Sequence, residues 1–368
     1  MRILHLLYES KGDYFGIGGV GVRAYEMYKY LGKLHDVTLL CKKYPGAKDG
    51  VIEGIKHIFC GIESKSLAVA LLSYAFFASI YVRLNGHEYD IIIEEFSPAI
   101  PTFLFLYKKR PVVVQIQGFT GRQYFGKYNP LYALILFAFE HIFPKQYKNL
   151  ILVNRVTAKR LNLRQNNNMT VIPNGIDGRF LEADPVESDY ILYLGRIDLH
   201  TKRLDLLIRA YEEVYQSNPE VKLIIAGDGR DMEQLKSVVS KLHQRVQDNI
   251  LLPGWVEKEH KIHYLSDALV VVLPSRYEVQ PIVVTEALAA GKAVIVSDIE
   301  ELEALIKDGL CFSFKSGDYK SLANQIKVLL KDGEARHSLG IKGRAWAADY
   351  KWEKLSGDFE NFLLKLCP

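Results

Sequence analysis

The chain has 368 residues, 24% of them charged, and a formal net charge of +4. A single hydrophobic core rarely serves more than roughly 250–300 residues, so two domains are expected. The charge is mild and no long Lys/Arg stripe with interleaved aromatics occurs, which argues against nucleic acid as a partner and leaves anionic ligands or an anionic membrane surface open.

The first half alternates strand-like apolar runs with helical patterns. Strands are expected at Ile3–Leu7, Val37–Leu40, Ile91–Ile93, Val112–Ile116 and Leu150–Val153, with helices between them, one over Val22–Leu34. This alternation is the mark of βαβ units and a parallel sheet. No secretory pattern is recognised at the start, and Cys41, Cys60, Cys311 and Cys367 lack C-x-x-C spacing. Both point to a reducing, cytoplasmic setting without structural zinc.

After the first strand comes Gly16-Ile17-Gly18-Gly19-Val20-Gly21. It satisfies G-x-G-x-x-G literally but begins about eight residues beyond the strand, and Cys41-Lys42-Lys43 replaces the acid expected after the second strand. Nicotinamide binding is therefore disfavoured. Gly18 and Gly19 are read instead as a turn that lets backbone approach a phosphate or sugar, with a ligand-free turn as the alternative.

Two segments, Leu67–Val82 and Tyr132–Phe143, are nearly free of charge. Both are shorter than the roughly 18–20 apolar residues that span a bilayer. Buried domain helices are the favoured reading, and a surface resting on the inner membrane face is the second. Glu94 and Glu95 close a strand and are candidates for orienting an acceptor hydroxyl, against the reading of a solvated edge. His57 and His141 show no partner pattern.

The second half repeats the scheme. Strands are expected at Tyr190–Leu194, Leu223–Ala226, Leu251–Leu252, Leu269–Leu273, Ala293–Val296 and Cys311–Phe314. Helices are expected at Arg203–Tyr215, Met232–Val246, Ile282–Ala290 and Leu322–Leu330. The turn-rich stretch from Pro173-Asn174-Gly175-Ile176-Asp177 through Asp184-Pro185 marks the join, giving domains over 1–176 and 177–349. The fold class is α/β: two facing Rossmann-like domains with a ligand cleft between them.

The richest chemistry lies in Pro274-Ser275-Arg276-Tyr277-Glu278-Val279-Gln280-Pro281-Ile282 and in Glu286. Glu278 falls in a strand-to-helix loop and Glu286 about two turns on, inside the helix. Such loops at the C-terminal edge of a parallel sheet face ligands, and carboxylates there accept hydrogen bonds from sugar or ribose hydroxyls. Leu194-Gly195-Arg196-Ile197-Asp198 and Lys202 place two cations on a neighbouring loop, where Arg can grip a pyrophosphate bidentately and Lys act as a point charge. Cations for phosphates and carboxylates for hydroxyls is the division a nucleoside diphosphate sugar requires.

These pieces occur in a recognisable order. Gly18-Gly19 precedes a long helix, followed by Val171-Ile172-Pro173-Asn174-Gly175-Ile176-Asp177, then Gly195-Arg196 with Lys202. Gly227-Asp228-Gly229, Pro253-Gly254-Trp255-Val256, Asp267-Ala268, Pro274-Ser275, the Glu278/Glu286 pair, Ala290-Gly291 and Tyr350-Lys351-Trp352 complete the set. In this the chain resembles the retaining, GT-B-fold glycosyltransferases of family four, over essentially its whole length. The resemblance implies an N-terminal acceptor domain, with a terminal helix over 350–368 packed back on it, and a C-terminal nucleotide-sugar domain. It implies that Arg196 and Lys202 hold the diphosphate, that Glu278 contacts donor hydroxyls, that Glu286 binds the ribose, and that Gly254 and Trp255 lie near the base. It places Val279, Gln280, Pro281 and Ile282 along the donor. It implies no metal and no cofactor beyond the nucleotide sugar, with the cations stabilising the departing diphosphate.

Two positions depart from the family pattern. Gln117, in Val113-Val114-Gln115-Ile116-Gln117-Gly118, stands where the family carries His; Gln can donate to or accept from a hydroxyl but cannot carry a proton charge. Val279-Gln280-Pro281 replaces a common Gly-Phe-Gly, which bears on donor identity. A hexosyltransferase using a glycan or a lipid-linked acceptor is the leading expectation. A GT-B-like sugar-nucleotide epimerase and a catalytically silent nucleotide-sugar-binding protein stay open.

Overall fold

The computed structural model describes residues 1–163 and 168–367. The chain forms two compact units, Met1–Asn174 with Trp352–Pro368, and Gly175–Lys351. Each is an α/β unit built on one sheet.

The first unit carries β1 (Arg2–Leu6), β2 (Asp36–Lys42), β3 (Gly50–Ile52), β4 (Ile55–Cys60), β5 (Ile91–Glu95), β6 (Val112–Ile116), β7 (Asn149–Leu152) and β8 (Asn168–Val171). Their order is β3-β4-β2-β1-β5-β6-β7-β8. Every pair is parallel except β3–β4. The strands are apolar on both faces because both faces are covered. Ile3, Ile93 and Val113 pack under helices Gly19–Leu31 and Trp352–Leu364, while Leu4, Ile92 and Val114 pack under helix Leu67–Asn85. The terminal helix thus belongs to this unit, with Phe359 and Leu363 buried beside Met27. Arg23, wholly buried, donates to the carbonyls of Ile172 (2.8 Å) and Pro173 (2.7 Å) and pins the chain as it leaves β8. Burial pushes its guanidinium down to about 10.

The second unit carries β9 (Tyr190–Leu194), β10 (Lys222–Ala226), β11 (Ile250–Gly254), β12 (Val270–Leu273), β13 (Ala293–Ser297) and β14 (Phe312–Phe314). Their order is β11-β10-β9-β12-β13-β14, all parallel. The chain builds outward from β9 on one side and returns to build from β12 on the other. The switch in direction therefore lies between β9 and β12, where doubly wound sheets open a crevice at their C-terminal edge. In the first unit the equivalent neighbours are β1 and β5.

Several elements differ from the sequence expectation. The hairpin β3–β4 was not anticipated; its two turn residues, Glu53 (φ 51°) and Gly54 (φ 79°), both take the left-handed conformation that a tight two-residue turn demands. The expected helix over Met232–Val246 is two helices, Met232–Val239 and Gln244–Gln247, interrupted where Ser240 closes the first and His243 starts the second. The first helix begins at Gly19 rather than Val22.

The apolar segments are surface helices with one buried face, so the expectation of buried domain helices holds for one face of each only. Helix Leu67–Asn85 buries Ala70, Tyr74, Ala78 and Val82 and exposes Leu72 (61%) and Phe76 (63%). Extended to Glu88, this stretch has 22 residues and a mean hydropathy of 1.8, long and apolar enough by length and composition to cross a membrane, contrary to the expectation from the shorter apolar window. Helix Pro130–Ile142 buries Ala133, Leu136 and Glu140 and exposes Leu131 (70%), Leu134 and Ile135.

Candidate active site

In the second unit the loops after β9, β10 and β11 are pressed together. The Gly195 amide donates to Ala226 O (3.0 Å), the Ile197 amide to Asp228 O (2.9 Å) and the Gly227 amide to Gly254 O (2.7 Å). A Cβ on Gly227 would lie 1.8 Å from Gly195 O, and one on Gly229 would lie 2.2 Å from Ile197 O. The glycines singled out in sequence are therefore required by backbone packing between loops.

The loop after β9 runs into a short helix, Leu199–Lys202, capped by Asp198, whose Oδ1 accepts from the Thr201 amide (2.9 Å). Burial works to raise the Asp198 pKa, but the Thr201 amide, Arg230 and Arg196 together hold it below the usual carboxylate range. Arg196 and Arg230 each approach Asp198 Oδ2, at 3.7 and 3.5 Å, and both side chains are 68% exposed. Tyr193, buried, donates its hydroxyl to Arg196 O (2.8 Å); burial and then Glu278 push that phenol well up, so it stays a donor.

Lys202 ends the short helix, and its ammonium meets Glu278 Oε1 at 2.5 Å. Ser275 donates to the same oxygen at 2.6 Å. Lys202 comes from the loop after β9 and Glu278 from the loop after β12, so the pair spans the switch point of the sheet. The Arg276 amide donates to Thr201 O (2.9 Å) and ties the two loops along their backbones. Beyond Glu278, Val279 and Gln280 lead to Pro281, which precedes helix Ile282–Ala289; among the described residues no side chain caps that helix start. Glu286, 7% exposed, lies inside the helix and pairs with Lys261 from helix Lys258–Asp267. Gly254 (φ 79°) turns the chain after β11 and presents Trp255 at 77% exposure.

In the first unit, Gln117 is half-buried just past β6, and its Nε2 donates to Glu95 Oε2 (3.0 Å). Glu94 and Glu95, adjacent on β5, point to opposite faces and are both buried, so neither is a solvated edge. Glu94 accepts from Thr102 and from Tyr147 (2.5 Å), and burial raises it to about 7. Gly18 and Gly19 begin helix Gly19–Leu31, but the position an anion would take there holds the chain's own Glu9. Its Oε2 accepts from the amides of Gly18 (2.9 Å) and Gly21 (2.8 Å). Burial raises the Glu9 pKa against those two bonds.

Sequence reasoning missed three contributors, Lys261, Arg230 and Glu9, and quoted Ser275 without giving it a role. Asp198-x-x-Thr201 already carried the pattern of a helix cap. Lys261 carried no signal, because an ammonium on a polar helix is ordinary until its partner is known. Among the described residues, no cluster of three or more His, Cys, Asp or Glu side chains is arranged to hold a metal.

Known families match both units. The model for glycosyl transferases group 1 matches residues 179–346, and that for Glycosyltransferase Family 4 matches residues 17–179. The chain belongs to the GT-B-fold glycosyltransferases. Among the chain's curated relatives, the phosphatidyl-myo-inositol mannosyltransferase of Mycobacterium leprae (strain TN) is 30% identical over 189 residues, 49% of each chain. The chain thus spans about half the length of the curated relatives it matches. Sucrose-phosphate synthase from Thermosynechococcus elongatus shares the fold over 100% of this chain and 99% of its own, with a TM-score of 0.80 at 18% identity. Anabaena HepE, solved in complex with UDP, does so over 100% of both chains, with a TM-score of 0.73 at 17% identity.

Proposed function

We propose that the protein transfers a sugar from a nucleoside diphosphate sugar to a hydroxyl of a glycan or lipid-linked acceptor, with retention at the anomeric carbon and without a metal ion. The observation that carries this reading is the Lys202–Glu278 pair across the switch point of the second sheet, flanked by exposed Arg196 and Arg230. A diphosphate carries charge that must be neutralised as it leaves, and preorganised cations do this without reorganisation at the moment of reaction. Lys202 holds one donor on Glu278 and has two more to offer; Arg196 offers a planar fork. Glu278, oriented by Ser275 and Lys202, accepts from donor hydroxyls. Glu286 accepts from the ribose hydroxyls, with Lys261 balancing its charge, and Trp255 lies near the base beside Gly254. Val279, Gln280, Pro281 and Ile282 line the donor and select among sugars.

The first unit binds the acceptor in this reading, and Gln117 meets a hydroxyl of the donor sugar. A mannosyltransferase named for a phosphatidylinositol acceptor is among the relatives, and this unit exposes apolar helix faces; both favour a lipid-linked acceptor at a membrane surface, with the protein peripheral and cytoplasmic. The test is incubation with a panel of nucleotide sugars, UDP-linked first, with and without lipid extract, and mass analysis of products. Transfer is expected only with acceptor present. Arg196→Ala is expected to lower turnover about tenfold or more, and Glu286→Ala mainly to weaken donor binding. Donor conversion without acceptor, or transfer and binding untouched by both variants, overturns the reading.

A further inference from the structure

The polar groups under helix Gly19–Leu31 form a continuous chain that ends at Gln117. Tyr28, on that helix, lies 2.7 Å from His5 Nδ1 on β1. His5 Nε2 lies 3.2 Å from Glu95 Oε1 on β5. Gln115 Nε2, on β6, donates to the same oxygen, and Gln117 Nε2 donates to the other at 3.0 Å. Glu95 stands directly opposite Gln115 in the parallel register, and Gln117 continues the same face two residues on. His5, Glu95 and Gln115 are 1%, 4% and 1% exposed, so the chain climbs out of the core to a half-buried end.

A buried network of this kind is expensive. It desolvates a carboxylate and an imidazole, and it leaves Gln115 Oε1 buried with no partner. Stability alone would be served as well by apolar side chains of similar volume. What the network does is impose polarity. Three N–H groups converge on the two oxygens of Glu95, so Glu95 acts as an acceptor only. With His5 Nε2 donating to Glu95, Nδ1 is left to accept from the Tyr28 hydroxyl. Burial, and then the charge of Glu95, push the Tyr28 phenol well above its ordinary value and keep it a donor. An unconstrained glutamine amide can turn over and offer either its oxygen or its nitrogen. Gln117 cannot do so without setting its carbonyl against a carboxylate. Its Oε1 has no hydrogen-bond partner among the described residues.

We propose that Glu95 is a positioning residue which holds the Gln117 amide nitrogen inward and so presents the Gln117 carbonyl as a dedicated acceptor for a hydroxyl of the bound sugar. This rests on the reading of Gln117 as a sugar-contacting residue. It has a specific consequence. The hydroxyl it meets must donate, so replacing that hydroxyl by fluorine, which accepts but cannot donate, is as harmful as removing it.

Two measurements on the full chain test the proposal and keep it apart from the glycosyltransferase reading. The first needs no activity: side-chain amide NMR, with the Gln117 signal assigned by its loss in Gln117→Ala. Slow exchange of one Gln117 amide proton is expected, accelerated about tenfold or more in Glu95→Gln and less in the milder Tyr28→Phe. Exchange that is fast in the wild type, or unchanged in Glu95→Gln, overturns the positioning role whatever the protein does. The second is calorimetric binding of UDP-glucose and GDP-mannose with their monodeoxy and deoxyfluoro analogues. At one hydroxyl, both replacements are expected to weaken binding about tenfold in the wild type, with that discrimination lost in Gln117→Ala and in Glu95→Gln. The two substitutions are expected to be non-additive, since each removes the same bond. A fluoro analogue that binds like the parent, or additive effects of the two variants, overturns the proposal. If neither nucleotide sugar binds while the NMR result holds, the positioning role stands and the donor reading is what fails.

Discussion

Lys202 Nζ lies 2.5 Å from Glu278 Oε1 and joins the loop after β9 to the loop after β12. Their side chains are 16% and 8% exposed, so the pair is largely withdrawn from water. Removing one partner strands the other charge, which costs about 3 kcal/mol or more, whereas removing both relieves it. Lys202→Ala is therefore expected to destabilise the second unit more than the double variant Lys202→Met/Glu278→Gln, in urea unfolding. Both are expected to lose donor binding. A single variant as stable as the wild type would show that the two loops do not depend on the pair.

The glycines of the second unit separate into two kinds. Gly227 (φ 143°) has Gly195 O where a Cβ would go, at 1.8 Å, so Gly227→Ala forces two backbones apart. A loss of about 4 kcal/mol or more is expected, because backbone cannot swing aside as a side chain can. Gly254 (φ 79°) has open space around the same position. Gly254→Ala is strained only by its conformation and is expected to cost about 1–2 kcal/mol. Thermal melts of the two variants check the difference, and equal costs would refute it.

How far the sequence could be read follows from the same contacts. The buried strands were legible because a sheet covered on both faces needs unbroken apolar runs, as in Ile91–Ile93 and Ala293–Val296. The hairpin β3–β4 was not, since its turn is Glu53-Gly54 instead of the usual Asn-Gly and the three residues of β3 are half-exposed or exposed. The loops holding Arg196, Lys202 and Glu278 could be placed from the strand–helix alternation alone. Their partners could not. Whether Lys202 meets Glu278, Lys261 meets Glu286 or Glu9 fills the start of helix Gly19–Leu31 depends on side chains brought together from distant strands and helices. The same limit hid the burial of Glu94 and Glu95, which a linear reading cannot tell from an exposed strand end.

Glu94 gives a pH dependence whose sign can be stated. Burial raises its carboxyl from the ordinary value to about 7, against hydrogen bonds from Thr102 and Tyr147. The folded protein therefore holds a proton between about pH 4.5 and 7 that the unfolded chain has released. The stabilisation from that proton is complete below pH 4.5 and is lost as pH rises through 7. The change amounts to about 3 kcal/mol at most. Glu94→Gln, which cannot ionise, is expected to flatten the fall in stability of the first unit between pH 5 and 7.5. An unchanged slope in that variant would mean that another group carries it.

The apolar helices of the first unit lead to a prediction about surfaces. Along helix Leu67–Asn85, Leu72, Phe76 and Phe77 are 61%, 63% and 42% exposed, while the opposite face is sealed against the sheet by Tyr74, Ala78 and Val82. Core packing accounts for the second set and does nothing for the first. Burying two phenylalanines in a bilayer interface is worth about 2 kcal/mol each, so charging both should weaken partitioning by a hundredfold or more. The protein is expected to sediment with anionic liposomes, and Phe76→Asp/Phe77→Asp to remain in the supernatant with an unchanged melting temperature, because neither ring supports the core. Wild-type protein that stays in solution, or a variant that sediments equally, removes the membrane from the account and leaves these side chains without an assigned partner.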